Sequence, residues 1–331
     1  MDNKRIEYID ALKGFAIFLV IWGHIIIQLG SYPNTTYSII YSFHMPLFFI
    51  ISGFFFKSSL KLTPKDFLSK KSFQLLYPWF LWCIILGIDQ ASSHYLDNRT
   101  FLFKIITVFN RWFWFLRELW LSYVITYICY RFLKKGYLVA IIGILFVILI
   151  PFLKIQSFYF PLFLFGILLK DNYSLIIKYL DRFLYLSFFI FVVCLFFWND
   201  QYLSAFPNLF SNKTYCYDFP NLYHSLFRWL IGISGTIFFF TLFQKTYRPN
   251  SFNFFLKKRG LYTLGIYLLQ TIIVENILSR YISFKTINEW FFALVIAPVI
   301  SLIVLEICTV SVVWANKNKF LSKLLFGSSY R

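Results

Sequence analysis

Lys13 and His24 stand eleven residues apart in the apolar run Tyr8-Ile-Asp-Ala-Leu-Lys13-Gly-Phe-Ala-Ile-Phe-Leu-Val-Ile-Trp-Gly-His24. An ammonium group can hold an anion. An imidazole titrates near neutrality, so it can take the proton of a hydroxyl and later return it. On a helix, eleven residues make three turns plus about 20°, which puts both side chains on one face roughly 16 Å apart along the axis. Asp10 borders that face, one turn before Lys13. A lysine at the middle of a membrane helix costs about 2.5–3.5 kcal/mol to insert, and such residues face a bundle interior or a wet cavity. Lys13 therefore has two readings, an anion-binding charge or a lysine reaching back to the interface and paired with Asp10.

Three further groups fall at about the depth of His24 in other apolar runs. His44 lies in Tyr41-Ser-Phe-His-Met-Pro46-Leu-Phe-Phe-Ile-Ile-Ser52-Gly53, where Pro46 frees a carbonyl near Ser42 and kinks the helix. Glu118 follows Arg117; neighbours on a helix point about 100° apart, so mutual pairing is poor and one of the two is expected to face inward. Glu275 sits slightly shallower and Gln270 deeper in a later run. Glu306 falls at the opposite level, within reach of Lys13 or an arginine. The four histidines form no metal-ligand spacing, and no glycine loop suited to a nucleotide is present.

The elements that must position these groups follow from composition. Of 331 residues, 59% are hydrophobic, 24% aromatic and only 14% charged, with a mean hydropathy of +0.67. These values exclude a soluble globular domain and indicate an all-α polytopic membrane protein, a single membrane-embedded domain over 1–331. With about 20 apolar residues per crossing, ten spans are expected near 10–30, 38–56, 73–90, 112–132, 137–153, 155–170, 183–199, 226–245, 261–279 and 290–314; the alternative is eight, with the short fifth and sixth runs, separated only by Lys154-Ile-Gln156, forming a re-entrant pair. The net charge of +18 reflects topology and not nucleic-acid binding. Lys57, Lys61, Lys65, Lys70 and Lys71 follow the second span, and Lys245, Arg248, Lys257, Lys258 and Arg259 follow the eighth. Few basic residues, among them Arg99, Lys104, Arg228 and Arg280, fall on the other side. This positive-inside bias puts both termini in the cytoplasm. Cys83, Cys129, Cys194 and Cys308 fall within spans and Cys216 in an outer loop, so no disulfide is implied. Two outer stretches are candidates for contacts beyond the bilayer: Thr100–Phe109 as an interfacial amphipathic segment, and the loop bearing Pro207, Asn208, Ser211, Asn212 and Tyr215–Tyr217.

Taken together, Asp10-Ala-Leu-Lys-Gly14 through Gly23-His24 and Phe43-His-Met-Pro-Leu-Phe-Phe49 with Ser52-Gly53 resemble the acyltransferase-3 family of integral membrane acyltransferases. Weaker pieces are Trp114-Phe-Leu116 and Gly260-Leu-Tyr-Thr-Leu-Gly-Ile-Tyr-Leu-Leu269. The likeness is greatest to the sugar O-acetylase branch of the fucose 4-O-acetylase type and covers about residues 5–315. It implies acyl-CoA, most simply acetyl-CoA, as cytoplasmic donor, a glycan or lipid-linked sugar as acceptor, and location in the inner cell membrane. It also implies a donor site formed by Lys13 with Asp10, Lys71 and Gln74, and catalysis by His24 as general base or transient acyl carrier. His44 or Glu118 would orient His24. Lys13 replaces the commoner arginine, Gln74 replaces a second basic residue, and Gln270 stands where the family often has histidine. No metal is implied. The rival readings are a transporter, in which buried Lys, His and Glu form an ion or substrate relay, and a non-catalytic scaffold.

Reporter fusions at Met1 and Arg331 are expected to read cytoplasmic, with the 31–37 turn external; an external signal from either end overturns this topology.

Overall fold

A computed structural model describes residues 6–30, 35–92, 108–109, 112–133, 136–149, 154–199 and 219–327. All regular structure among them is helical. The first half comprises α1 (Glu7–Leu29), α2 (Thr35–Phe54), α3 (Pro64–Lys71), α4 (Tyr77–Ser92), α5 (Trp114–Leu133), α6 (Gly136–Leu149) and α7 (Lys154–Asp171). Next come α8 (Tyr173–Lys178), α9 (Leu180–Phe196), α10 (Phe219–Thr246), α11 (Ser251–Leu261) and α12 (Thr263–Gln270). The last are α13 (Ser279–Tyr281), α14 (Glu289–Phe291), α15 (Ala297–Asn316) and α16 (Lys319–Phe326). Three π-helical stretches, Ser72–Leu76, Thr271–Leu278 and Phe292–Ile296, join α3 to α4, α12 to α13, and α14 to α15.

Helices stand at the positions expected for all ten spans, but they are not equal in length or apolarity. Five runs are long and apolar enough to cross a bilayer: Glu7–Leu29, Thr35–Lys61, Pro64–Ile88, Leu222–Thr246 and Glu289–Asn316. A sixth is added if Ser251–Leu261 and Thr263–Tyr281, bent by 74°, count as one. Among the rest, α6 and α9 have 14 and 17 residues, and α5 carries the Arg117–Glu118 pair. Of the outer stretches singled out in the sequence, 100–107 and the loop with Pro207, Asn208, Ser211, Asn212, Tyr215 and Tyr217 lie outside the described residues, as does Cys216.

Helix α1 is the hub. It packs against α2, α10, α11, α12, α15 and the π stretch that follows α12, and Ala11, Leu12, Ala16, Ile21, Ile25 and Ile26 are fully buried around its circumference. A helix surrounded in this way presents its polar face to protein and not to lipid. Two glycine crossings set the distances. A Cβ on Gly14 would stand 1.9 Å from the Leu256 carbonyl oxygen of α11, and one on Gly260 would stand 1.7 Å from the Asp10 carbonyl oxygen. Where α2 crosses α7, Cβ atoms on Gly53 and Gly166 would stand 1.9 and 2.0 Å from the carbonyl oxygens of Phe163 and Ile50. Small residues let membrane helices approach until their backbones touch. The glycines of the sequence motifs are therefore packing residues. Gly232 of α10 fits against Pro46 in the same way, since a Cβ there would stand 2.7 Å from the proline ring.

One end of the bundle is tied by ion pairs between elements. Lys57 pairs with Asp171 and Lys245 with Asp181, each at 2.5 Å, while Lys257 pairs with Glu7 and Arg259 with Glu306. Tyr8 and Tyr173 share a 3.0 Å hydroxyl contact at this end. Helix α16 is anchored there as well, because the Trp82 indole donates to the Leu325 carbonyl at 2.7 Å.

Gly14→Ala is expected to destabilise the protein by at least about 1–3 kcal/mol, since the methyl meets backbone on the opposing helix. Gly136→Ala, whose Cβ would stand 3.4 Å from the Tyr130 hydroxyl, is expected to change little. Thermal unfolding in detergent compares the two.

Candidate functional site

The polar groups of α1 meet different partners at its two ends. Near the basic end Lys13 Nζ lies 2.7 Å from Asp10 Oδ1, the i,i+3 pairing that the spacing allows. Lys13 also faces a cavity of about 130 Å³ whose walls come from four helices. Ile17 and Val20 line it from α1, Met45, Phe48, Ile51 and Ser52 from α2, Phe115, Leu116 and Leu119 from α5, and Thr263, Leu264 and Tyr267 from α12. Lys13, Ile17, Val20 and His24 follow at helical spacing, so the cavity runs along the α1 face that ends in His24. Pairing with Asp10 and a place on the cavity wall are thus both true of Lys13.

Beyond the cavity His24 Nδ1 lies 2.9 Å from Glu275 Oε1, with side chains 23% and 14% exposed. A carboxylate oxygen accepts, so Nδ1 carries a proton, and in the neutral ring Nε2 then keeps its lone pair. Glu275 reaches α1 from within the π-helical stretch Thr271–Leu278. Such stretches are rare and concentrate at functional sites.

The expected partners of His24 do not occupy this position. His44 is buried in α2 and its Nδ1 donates to the Ile40 carbonyl at 2.8 Å, its ring set edge-on to Tyr41. It lies within electrostatic range of His24 and of Arg228. The pairing partner that the structure gives to His24 is Glu275, where the sequence had suggested His44 or Glu118.

Glu118 is held by Arg117 instead, with Nε and a terminal nitrogen 2.9 and 2.8 Å from its Oε1. The expectation that adjacent residues would pair poorly is corrected here: Glu118 does face inward, and the long guanidinium arm bends back along the helix to reach it. With its amide turned to satisfy both ends, Gln156 of α7 donates to Glu118 Oε2 at 2.9 Å and accepts from Ser122 at 2.6 Å. Glu118 thus belongs to a closed network between α5 and α7.

Lys71 stands 3.7 Å over the Tyr123 ring, and the Tyr123 hydroxyl donates to the Ser52 carbonyl on the cavity wall. Lys71 is therefore one side chain away from the cavity. Gln74 sits half-buried in the neighbouring π stretch. Glu306 takes Arg259 and not Lys13. Among the described residues no group of three or more His, Cys, Asp or Glu is arranged to hold a metal ion.

Two residues near this site were not singled out as site residues from the sequence. The sequence places Glu275 near the right depth, but a uniform 100° per residue cannot foresee its turn through a π stretch. In the sequence Arg228 reads as an outer topological charge. It is buried in α10, 5.3 Å from the Phe158 ring, and acts electrostatically on His44, Tyr37 and Tyr159. A lone arginine inside an otherwise apolar run was the available signal.

An all-helical bundle with a half-buried histidine–carboxylate pair one turn beyond a lysine-headed apolar cavity has the parts of a membrane group-transfer protein. The acyltransferase-domain sequence profile matches residues 6–306, and the chain belongs to the acyltransferase-3 family. It is similar to the nodulation protein NolL of Sinorhizobium fredii, 28% identical over 185 residues that cover 52% of this chain and 50% of the relative. The NolL of Mesorhizobium japonicum is 32% identical over 135 residues, covering 37% and 35%. The chain thus spans half or less of the length of the curated relatives it matches. No solved structure matches it.

Replacing Glu118 with Ala leaves the Arg117 guanidinium and the Gln156 amide without their acceptor and is expected to cost about 1–3 kcal/mol. Lys57→Ala, at the exposed pair with Asp171, is expected to stay within about 1 kcal/mol. Thermal unfolding of the two variants checks the contrast.

Proposed function

We propose that this protein is a membrane O-acyltransferase that moves an acetyl group from cytoplasmic acetyl-CoA to a hydroxyl of a cell-surface or lipid-linked glycan. In this reading the chain crosses the inner membrane ten times, with both termini cytoplasmic, and acts in the manner of fucose 4-O-acetylase-type sugar O-acetylases. The observation that carries the proposal is His24 Nδ1 on Glu275 Oε1, one helical turn beyond the Val20 wall of an apolar cavity that Lys13 also lines.

The donor's phosphates dock at the basic end, close to Lys13, Lys71 and Gln74, with Asp10 holding the Lys13 ammonium in place. The thioester arm lies along the Lys13–Val20 face, and the span of roughly 16 Å brings the carbonyl to His24. His24 Nε2 takes the proton of the acceptor hydroxyl as that oxygen attacks the thioester carbon. The tetrahedral intermediate collapses with cleavage of the carbon–sulfur bond, and the thiolate takes the proton back from Nε2. Glu275 holds the ring in the tautomer that leaves Nε2 basic and stabilises the imidazolium formed in between, the role a third triad member plays. His44, with its own Nδ1 fixed to a carbonyl, supports the acceptor side from α2.

Purified protein incubated with acetyl-CoA and a panel of glycans, with free thiol followed over time, tests the proposal. Glycan-dependent thiol release is expected; transport of substrate without thiol release would overturn it. His24→Ala should abolish transfer in a well-inserted protein, and Glu275→Gln should lower kcat by about 10²–10⁴-fold with little change in KM. Lys13→Ala should raise KM for acetyl-CoA by roughly 10- to 150-fold, the worth of one charge-assisted hydrogen bond, and leave that for glycan nearly unchanged. Unaltered KM values with lower protein stability would assign Lys13 to its Asp10 pairing alone.

A further inference from the structure

Gln270 is fully buried in α12, and its side-chain oxygen has no hydrogen-bond partner. The orientation of its amide is fixed by its neighbours. Thr271 Oγ1 donates to the Tyr267 carbonyl at 3.0 Å, so it can only accept from Gln270, whose Nε2 lies 2.9 Å away. The amide nitrogen therefore faces Thr271, and the oxygen points elsewhere with both lone pairs unused. A buried acceptor left this way costs about 1–3 kcal/mol, and native proteins hold few of them.

The position of Gln270 along the helix suggests what would satisfy it. Thr263, Leu264 and Tyr267 line the cavity, and Gln270 comes three residues after Tyr267 and five before Glu275. At helical rise it stands roughly 4–5 Å beyond the last cavity residue of α12 and no more than roughly 7–8 Å short of the carboxylate that holds His24. On α1, Val20 and His24 are four residues apart, roughly 6 Å of rise. A molecule that reaches His24 from the cavity passes this level after leaving walls lined chiefly by apolar side chains. A neutral carbonyl there suits a neutral N–H donor better than an ion or a bulk-water contact.

We propose that the Gln270 side-chain oxygen accepts a hydrogen bond from the secondary amide nearest the sulfur in the arm of the acyl-thioester donor. This rests on the acyltransferase reading above and assigns a donor-recognition role within it. The amide lies a few bonds from the thioester carbonyl, so a carbonyl held at His24 leaves the amide on the cavity side of the pair, the side on which Gln270 falls along α12. Glutamine is then a ligand for the donor arm at this position. A general acid or base there is unnecessary, because His24 already moves the proton.

The test uses two small acetyl thioesters with purified full-length protein and acceptor glycan: acetyl-N-acetylcysteamine, and its counterpart with the amide N–H replaced by an ester oxygen. The native protein should prefer the amide compound in kcat/KM by about 2- to 12-fold, the worth of one neutral hydrogen bond. Gln270→Met should erase that preference while melting at the same temperature or higher, because it removes an unmatched buried acceptor. An undiminished preference in Gln270→Met overturns the inference. Loss of preference together with a lower melting temperature also overturns it and assigns Gln270 to structural support. Thiol release from neither compound by the native protein, with acetyl-CoA equally inert, is the distinct failure of the acyltransferase reading itself.

Discussion

Hydrocarbon offers no hydrogen bonds, so every polar atom carried into a bilayer has to be met by protein or by trapped water. Helix α1 carries Asp10, Lys13 and His24, and the bundle is arranged so that each finds its partner. Lys13 and Asp10 answer each other within one turn, and His24 is answered by Glu275 from a different helix. This requirement accounts for the central place of α1: only a helix ringed by others can hold a line of polar side chains away from lipid. It also accounts for the cavity, which fills the space where the Ile17 and Val20 part of that face meets α2, α5 and α12.

Bringing the partners close enough depends on residues without chemistry of their own. The Gly14–Gly260 crossing draws α11 onto α1 beside Asp10, and the bend that follows α11 starts α12 along the cavity wall. Gly53 and Gly166 do the same for α2 and α7. The π stretch after α12 then turns Glu275 toward α1. At the start of α5, Phe113 adopts φ 51, a conformation that costs a bulky residue about 1–3 kcal/mol. In that conformation its ring packs edge-on to Tyr267, which Phe115 also contacts. The strained residue thus packs against Tyr267, which lines the cavity.

The sequence made the class of fold readable, and the face shared by Lys13 and His24 could be drawn from it, because both rest on regular quantities. Apolar run length locates the helices, and a constant angle per residue aligns Lys13 with His24. What escaped depends on departures from regularity. Glu275 needs a change of helical register, the Arg117–Glu118 pair needs a side chain to fold back along its own helix, and Arg228 needs knowledge of which faces of α10 are covered. Lys71 over Tyr123 is a contact between elements distant in sequence, and no local pattern encodes it. Gln270 was visible as a departure from the family pattern, but only its lack of a partner gives that departure a physical meaning.

The ion pairs at the basic end also shape the field around the molecule. Glu7, Asp171, Asp181 and Glu306 are each engaged by a neighbouring cation, and Asp66 accepts from Thr63 at the start of α3. The carboxylates described at this rim are thus already engaged, whereas Lys61, Lys65, Lys70, Lys258, Lys317, Lys319 and Lys323 stand exposed. Uncompensated charge of this kind projects a positive potential that salt screens within about 8 Å at physiological ionic strength. Anionic lipid headgroups feel the same potential as a dissolved anion does. The surrounding bilayer therefore competes for the rim, and its lipid composition sets how much of that attraction is left for anything arriving from solution.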